Sequence, residues 1–261
     1  MSAENLNDNL ELKTGNFYEG QKEFRKKYRD NLKGWYNGFV HLVMIFSIGI
    51  AAIYYFKSHI SNVIWWEWFI VPVTIIGANL FEWWIHRFVM HKPRPFPGAK
   101  AIYSRHTLQH HQFFTEQEMR FAGQHDWRVT LFPPYALAIF IAVLSAPGVL
   151  VLSWMISTNV GWLFICSTTS FYLLYEIMHF FCHVKDNVIV RNMPFINTIR
   201  RHHAAHHNKG IMMGLNMNLT FPFGDWLFGT SDLNRGLLGH FFNGYSTKYV
   251  KEEVLKAKHK S

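Results

Sequence analysis

Residues 154–183 read WMISTNVGWLFICSTTSFYLLYEIMHFFCH. From Trp154 to Met178 the run carries one charged residue, Glu176, and exceeds the roughly 20 apolar residues a helix needs to cross a bilayer. It ends in His179 and His183, a spacing of four that a regular helix stacks on one face. The run therefore predicts a spanning helix that delivers two imidazoles to the membrane boundary.

Three more apolar segments precede it, at about 39–56, 63–85 and 129–152, with the fourth at about 154–178. A soluble helical core could use one such segment, but four of spanning length predict an all-α integral membrane protein. Glu67, Glu82 and Glu176 interrupt or end the segments, and Pro72, Pro133, Pro134 and Pro147 predict kinks or stops. Almost nothing polar separates the third and fourth, which therefore read as a tight helical hairpin. Charge placement tests the count independently. Of the 26 Lys and Arg, only Lys57 lies on the side of the two short connections. The other side, with both termini, is then cytoplasmic by the positive-inside rule. The formal charge of +9 becomes an orientation signal, and nucleic acid is not an expected partner.

The expected organisation is an N-terminal cytosolic segment, 1–37, and a single membrane domain, 38–261, whose cytosolic cap comprises 86–128 and 179–261. The N-terminus lacks the apolar core of a signal peptide and is expected to be retained. Gln21 to Lys33 is dense in Lys and Arg and reads either as an amphipathic juxtamembrane helix or as a solvated polar one. Only 16% of residues are charged, against about 25% in soluble domains, while 16 histidines stand where about five are expected. Two cysteines, Cys166 and Cys182, both in apolar runs, exclude a disulfide scaffold and Cys-based zinc modules.

Eleven of the histidines form four groups: His86 and His91; His106, His110 and His111; His179 and His183; and His202, His203, His206 and His207. Helical spacing predicts that His179 pairs with His183, His106 with His110, and His203 with His206 and His207. His86 and His91 sit about 140° apart on a regular helix. They converge only if the helix ends or loosens, with Pro93 and Pro95 close behind, or else they serve different metals. His41, His59, His125, His240 and His259 read as ordinary residues. Crowded imidazoles at a membrane boundary are costly unless a metal satisfies them. Ten exceed one coordination sphere and imply two metals, and all-nitrogen ligation suits Fe, Zn, Cu or Ni rather than Mg or Ca.

Phe81-Glu82-Trp83-Trp84-Ile85-His86-Arg87-Phe88-Val89-Met90-His91, Tyr175 to His183, Arg201 to Asn208, Arg128 to Pro134 and Gly224 to Thr230 together resemble the fatty acid hydroxylase branch of the sterol desaturase and fatty acid hydroxylase superfamily of membrane di-iron enzymes. The resemblance runs from about Phe81 to Thr230. It departs from the family at His106, three residues rather than two before the His110-His111 pair, and at the doubled His202-His203, where spacing favours His203 as ligand and leaves His202 behind it.

The resemblance implies two Fe ions held by His86, His91, His106, His110, His111, His179, His183, His203, His206 and His207, with zinc able to replace iron on overproduction. It implies that O2 is activated there to attack an unactivated C–H bond of a lipid acyl chain. Electrons are expected from a separate carrier, cytochrome b5-like or ferredoxin-like with its reductase. Glu82 and Glu176 are candidates to accept the second N–H of a ligand imidazole, or else are helix-end carboxylates meeting solvent or Lys. Met212, Met213, Met217 and Phe221 to Phe223 either line an acyl passage or form an apolar lid. A sterol or carotenoid oxidase is the rival within the superfamily. A metal transporter would place its ionisable ligands at mid-membrane, and these lie at helix ends. The C-terminus lacks a dilysine signal, which favours a bacterial inner membrane over the endoplasmic reticulum.

Overall fold

The computed structural model describes residues 15–32 and 34–258, so His259 and the first fourteen residues of the N-terminal segment lie outside the described residues. Four helices are long and apolar enough to cross a membrane: Gly38–Lys57, Trp65–Met90, Gln124–Met155 and Thr158–His183. Asn37 caps the first by accepting the Val40 N–H at 3.1 Å, and Ser157 caps the fourth through Val160 N at 3.2 Å. Among the described residues there is no strand, only an isolated bridge between Leu233 and Val250.

The second and fourth helices run beyond their expected ends, to Met90 and His183. Apolar runs stop at the first polar residue. The helices do not, because the imidazoles they carry into the cap are met there by other polar groups. The third helix is broken where its prolines predict: Leu131 and Pro133 are extended before Pro134 restarts the helix, and a π-turn spans Ile141–Ser145 just before Pro147. The hairpin between the third and fourth is as tight as expected. A Cβ on Gly161 would run into Ser153 Oγ and the Val149 carbonyl, so the absence of a side chain there sets the approach of the two helices.

The fourth helix is central, 56% buried over its apolar window, whereas the others bury 17%, 17% and 11% of theirs. Gly49 of the first helix admits Leu173 of the fourth. The outward faces of the other three leave Val43, Ile50, Val73, Val143 and Leu150 exposed, which is the expectation for a lipid-facing surface. Trp65, Trp68 and Trp154 are exposed at the end away from the cap, where indole rings suit a headgroup boundary.

The N-terminal helix, Gly15–Asp30, docks on the cap rather than standing in solvent. Gln21 Nε2 donates to the Phe113 carbonyl at 2.9 Å and Arg25 Nη2 to the Arg120 carbonyl at 2.7 Å. Arg29 chelates Asp126 at 2.7 and 2.8 Å. His41 is an ordinary core histidine: its Nε2 donates to the Phe132 carbonyl at 3.0 Å, leaving Nδ1 to accept from Tyr36 OH at 2.9 Å.

Candidate metal centre

The helix carrying His86 and His91 loosens where the pair requires it. Residues His86–Met90 form a π-turn, and His91 N–H bonds the His86 carbonyl at 3.2 Å. Five residues then make one turn, and the two rings stack with centroids 5.0 Å apart. A second π-helix, Ser104–His110, bonds His111 N–H to the His106 carbonyl. The rings of His106 and His110 stack as their spacing predicts, with centroids 5.3 Å apart, but their ligand nitrogens belong to different groups. On the widened turn His106 shares a face with His111, and His110 is turned toward a different set of ligands. The extra residue that separates His106 from His110, against the family pattern, is the one the π-helix absorbs.

Two groups of buried imidazoles result: His86, His91, His106, His111 and His206; and His110, His183, His203 and His207. The helix Ile196–His206 feeds both. His203 and His207, four apart, face the second group, while His206 faces the first, so the expected trio is divided. His179 borders the second group, its Nε2 3.2 Å from His110 Nε2. In the first group Nε2 to Nε2 distances are 2.8 Å for His86–His106, 3.0 Å for His91–His206 and 3.1 Å for His106–His111. In the second they are 3.1 Å for His110–His207 and His183–His203, and 3.0 Å for His203–His207. Nitrogens about 2.0–2.1 Å from one ion stand about 2.9 Å apart at octahedral corners and about 3.4 Å apart at tetrahedral ones.

Hydrogen bonds behind the rings fix which nitrogens converge. His183 Nδ1 donates to the Met119 carbonyl at 2.9 Å, His206 Nδ1 to Leu215 at 2.8 Å and His207 Nδ1 to Phe114 at 2.7 Å, and His86 Nδ1 donates to Met217. A ring whose Nδ1 carries the proton presents a lone pair at Nε2. His86 and His206 therefore aim lone pairs into the first group, and His183 and His207 into the second. Burial, then the neighbouring imidazoles, holds His106, His110, His111, His203 and His206 well below the usual histidine range and His91 at about 2. Converging neutral lone pairs repel unless a cation lies between them. The donor set fits two metal ions.

The two glutamates do not touch the imidazoles. Glu82 accepts from Thr220 N–H at 3.1 Å, from Thr220 Oγ1 at 2.5 Å and from Leu219 N–H. It fixes the 217–220 loop whose Met217 carbonyl holds His86. Glu176 accepts the Phe132 N–H at 3.3 and 3.4 Å, a donor freed by the proline break in the third helix. Both carboxylates are buried and satisfied by N–H groups of segments distant in sequence, which spacing along one helix does not reveal.

His202 lies behind the ligands, but on Asp225 rather than on an imidazole: its Nε2 meets Asp225 Oδ2 at 2.9 Å. Asp225, wholly buried, was missed as a site residue, although its Gly-Asp-Trp motif is among those that carry the resemblance. It accepts Met217 N–H at 2.9 Å, Asn218 N–H at 2.7 Å and Thr230 Oγ1 at 2.6 Å. Burial alone would raise its carboxyl, but the His202 bond and charge, with the Asn218 N–H and Thr230 hydroxyl, hold it below the usual aspartate value. Met217 thus has its N–H on Asp225 and its carbonyl on His86. Its side chain is fully buried, and Phe221 stacks on Phe241 at 5.9 Å, the packing of an apolar lid. Asp225→Asn is expected to weaken retention of metal by about 10–100-fold, the usual effect of loosening a group behind a ligand. Chelator competition measures it, and unchanged retention would remove Asp225 from this role.

A cavity of about 20 Å3 touches both groups, bounded by His106 on one side and by His110 and His179 on the other. Met90, Ile102, Val129, Phe132 and Tyr175 form its apolar walls, and Arg105 its remaining corner.

The family model for fatty acid hydroxylases matches residues 71–230. The ceramide very long chain fatty acid hydroxylase SCS7 of Saccharomyces cerevisiae is 26% identical over 164 residues, 62% of this chain and 38% of that protein. The chain therefore spans well under half the length of this curated relative. A solved structure described as full-length scs7p, with only the hydroxylase domain visible, matches with a TM-score of 0.50 at 19% identity over 82% of this chain and 70% of that one, a likeness of fold. The family model covers more than half of the chain and encloses all ten converging histidines: the chain belongs to the fatty acid hydroxylase family.

Proposed function

We propose that the protein is an O2-dependent lipid hydroxylase that inserts oxygen into a C–H bond of an acyl chain, with two iron ions held by the ten histidines. The observation that carries this reading is the convergence of neutral Nε2 lone pairs into two adjoining groups, His111 of the first stacking on His207 of the second at 4.3 Å, inside a family of fatty acid hydroxylases. Imidazole ligation suits iron, and a bound iron pair supplies the redox chemistry that side chains alone lack.

The protein's own part is orientation and exclusion. Backbone carbonyls of Met119, Phe114, Leu215 and Met217 hold four ligand rings in one tautomer, so the groups are preorganised before any ion arrives. The cavity between them has room for one small molecule, the size class of O2. Phe132 and Tyr175, stacked at 5.8 Å, close it on the membrane side, where an acyl chain reaches it. The positive-inside asymmetry orients the cap to the cytoplasm, in a bacterial inner membrane, with electrons from a separate cytochrome b5-like or ferredoxin-like carrier.

Lipid profiling of cells expressing the wild type or His179→Ala, grown under isotopically heavy O2 with a competent reductase, tests this. Wild-type cells are expected to accumulate a lipid that carries one labelled oxygen, and the variant to lose it. A wild-type lipid profile without labelled oxygen would sink the reading.

A further inference from the structure

A second concavity, of about 500 Å3, opens beside the metal centre between the N-terminal helix and the cap. Lys27, Arg105 and Arg128 line it, together with Tyr28, Asn31 and Gln109, and no carboxylate does. The contrast with the neighbouring concavity is informative. That one, of about 600 Å3, also holds cations, but its own lining includes Glu118 and Asp186, and Arg25, Arg120 and Arg29 pair with Glu118, Asp186 and Asp126 at 3.6, 3.3 and 2.7 Å. No carboxylate pairs with Lys27 or Arg128 among the described residues. Arg128 lies over the Tyr36 ring at 5.9 Å.

Arg105 is fixed in place. Its Nη2 donates to the Arg128 carbonyl at 2.6 Å and to that of Leu131, which leaves Nε and Nη1 without a protein acceptor among the described residues. It also lines the small cavity against His106, His110 and His179, so this side chain borders both the basic pocket and the metal centre. The level is that of the membrane surface: Asn31 and Leu32 precede the first span at Gly38, and Arg128 stands within the first turns of the third. Cations at that depth meet lipid head groups rather than free solutes. A concave site also favours a small anionic group over the flat acidic face of a protein.

We propose that this pocket binds the anionic head group of the lipid whose acyl chain is oxidised at the metal centre. Lys27 and Arg128 supply the attraction, Arg105 the fixed guanidinium edge, and Tyr28, Asn31 and Gln109 neutral hydrogen bonds. The inference rests on the hydroxylase reading for the fate of the acyl chain, and on the pocket alone for the head group.

The test is binding by the purified full chain in neutral detergent, without O2 or reductant. Three probes are compared: a lysophosphatidic acid, the monoacylglycerol with the same acyl chain, and inorganic phosphate. The lysophosphatidic acid is expected to bind at least about tenfold more tightly than either of the others, the scale of one well-placed charge-assisted contact. Lys27→Glu and Arg128→Gln each reduce that preference several-fold and Lys27→Glu with Arg128→Gln abolishes it, whereas the equally charge-changing Lys248→Glu with Lys256→Gln leaves it intact. Lys27 is exposed, so its replacement does not threaten folding. Equal binding of the phosphate lipid and the monoacylglycerol overturns the proposal. So does inorganic phosphate binding as tightly as the lipid, which would make this a free-anion site. A selective pocket in a chain that oxidises no lipid would overturn the hydroxylase reading alone, and oxidation without head-group selectivity would overturn the pocket alone.

Discussion

His203→Ala is expected to lower bound metal from about two ions per chain to about one and to reduce lipid oxidation by well over a hundredfold, since even residues behind a ligand commonly cost 10–100-fold. His203 is the most diagnostic ligand to remove. Its Nε2 lies 3.1 Å from that of His183 and 3.0 Å from that of His207, at the heart of the second group. Its Nδ1 has no hydrogen-bond partner, so alanine breaks no bond that holds the fold. The first group draws on the same helix only through His206, whose Nδ1 stays on the Leu215 carbonyl at 2.8 Å, and its ion is expected to remain. Elemental analysis of the purified variant, with a circular dichroism melt to show that it is folded, decides the matter. Retention of both ions with full turnover would remove His203 from the ligand set.

Asp232→Ala is expected to have the largest effect on stability. Arg201 grips Asp232 with both terminal nitrogens, one at 2.9 Å, and the pair is buried, 8% and 0% exposed at the side chains. Asp232 also ties two segments together: its N–H donates to Asn216 Oδ1 at 2.8 Å and its carbonyl accepts Lys251 N–H at 2.9 Å. Removing the carboxylate strands a buried guanidinium, which costs about 3–5 kcal/mol, roughly 10 °C in a melt of a chain this size. Replacing both partners by apolar residues, Arg201→Met with Asp232→Leu, is expected to recover much of that loss, because the larger part of the cost is the uncompensated charge. Thermal melts of the single and double variants in detergent give the comparison. A double variant no more stable than Asp232→Ala would show that the pair's hydrogen-bond geometry, rather than its charge balance, holds the 201–232 contact.

These two residues also divide what can be read along the chain from what cannot. His203 was legible because it recurs at helical spacing with His206 and His207. Asp232 was not, since nothing in its neighbourhood distinguishes a buried aspartate from an exposed turn residue, and the motif around Asp225 marks the family without showing what the carboxylate meets. Their partners, Arg201 at a separation of 31 and His202 at 23, come from another helix. Glu82 shows the opposite error. Its spacing of four from His86 put the two on one helical face, and both do face the 217–220 loop, but Glu82 accepts from that loop, 137–138 residues away, rather than from the imidazole.

The four spanning helices, the one-sided placement of positive charge and the grouping of histidines at helix ends are legible along the chain. Each of these depends on composition or on spacing within one regular helix, where hydrophobic length and the 3.6-residue turn act locally. Only the tertiary structure decided how the histidines divide. A π-turn lengthens the backbone hydrogen-bond step from four residues to five, and whether it forms at His86 and at Ser104 depends on what the displaced rings meet. Here those partners are Met217, 131 residues from His86, and His206, 115 residues from His91. Convergence of distant segments chose the local geometry, and with it which imidazoles come together.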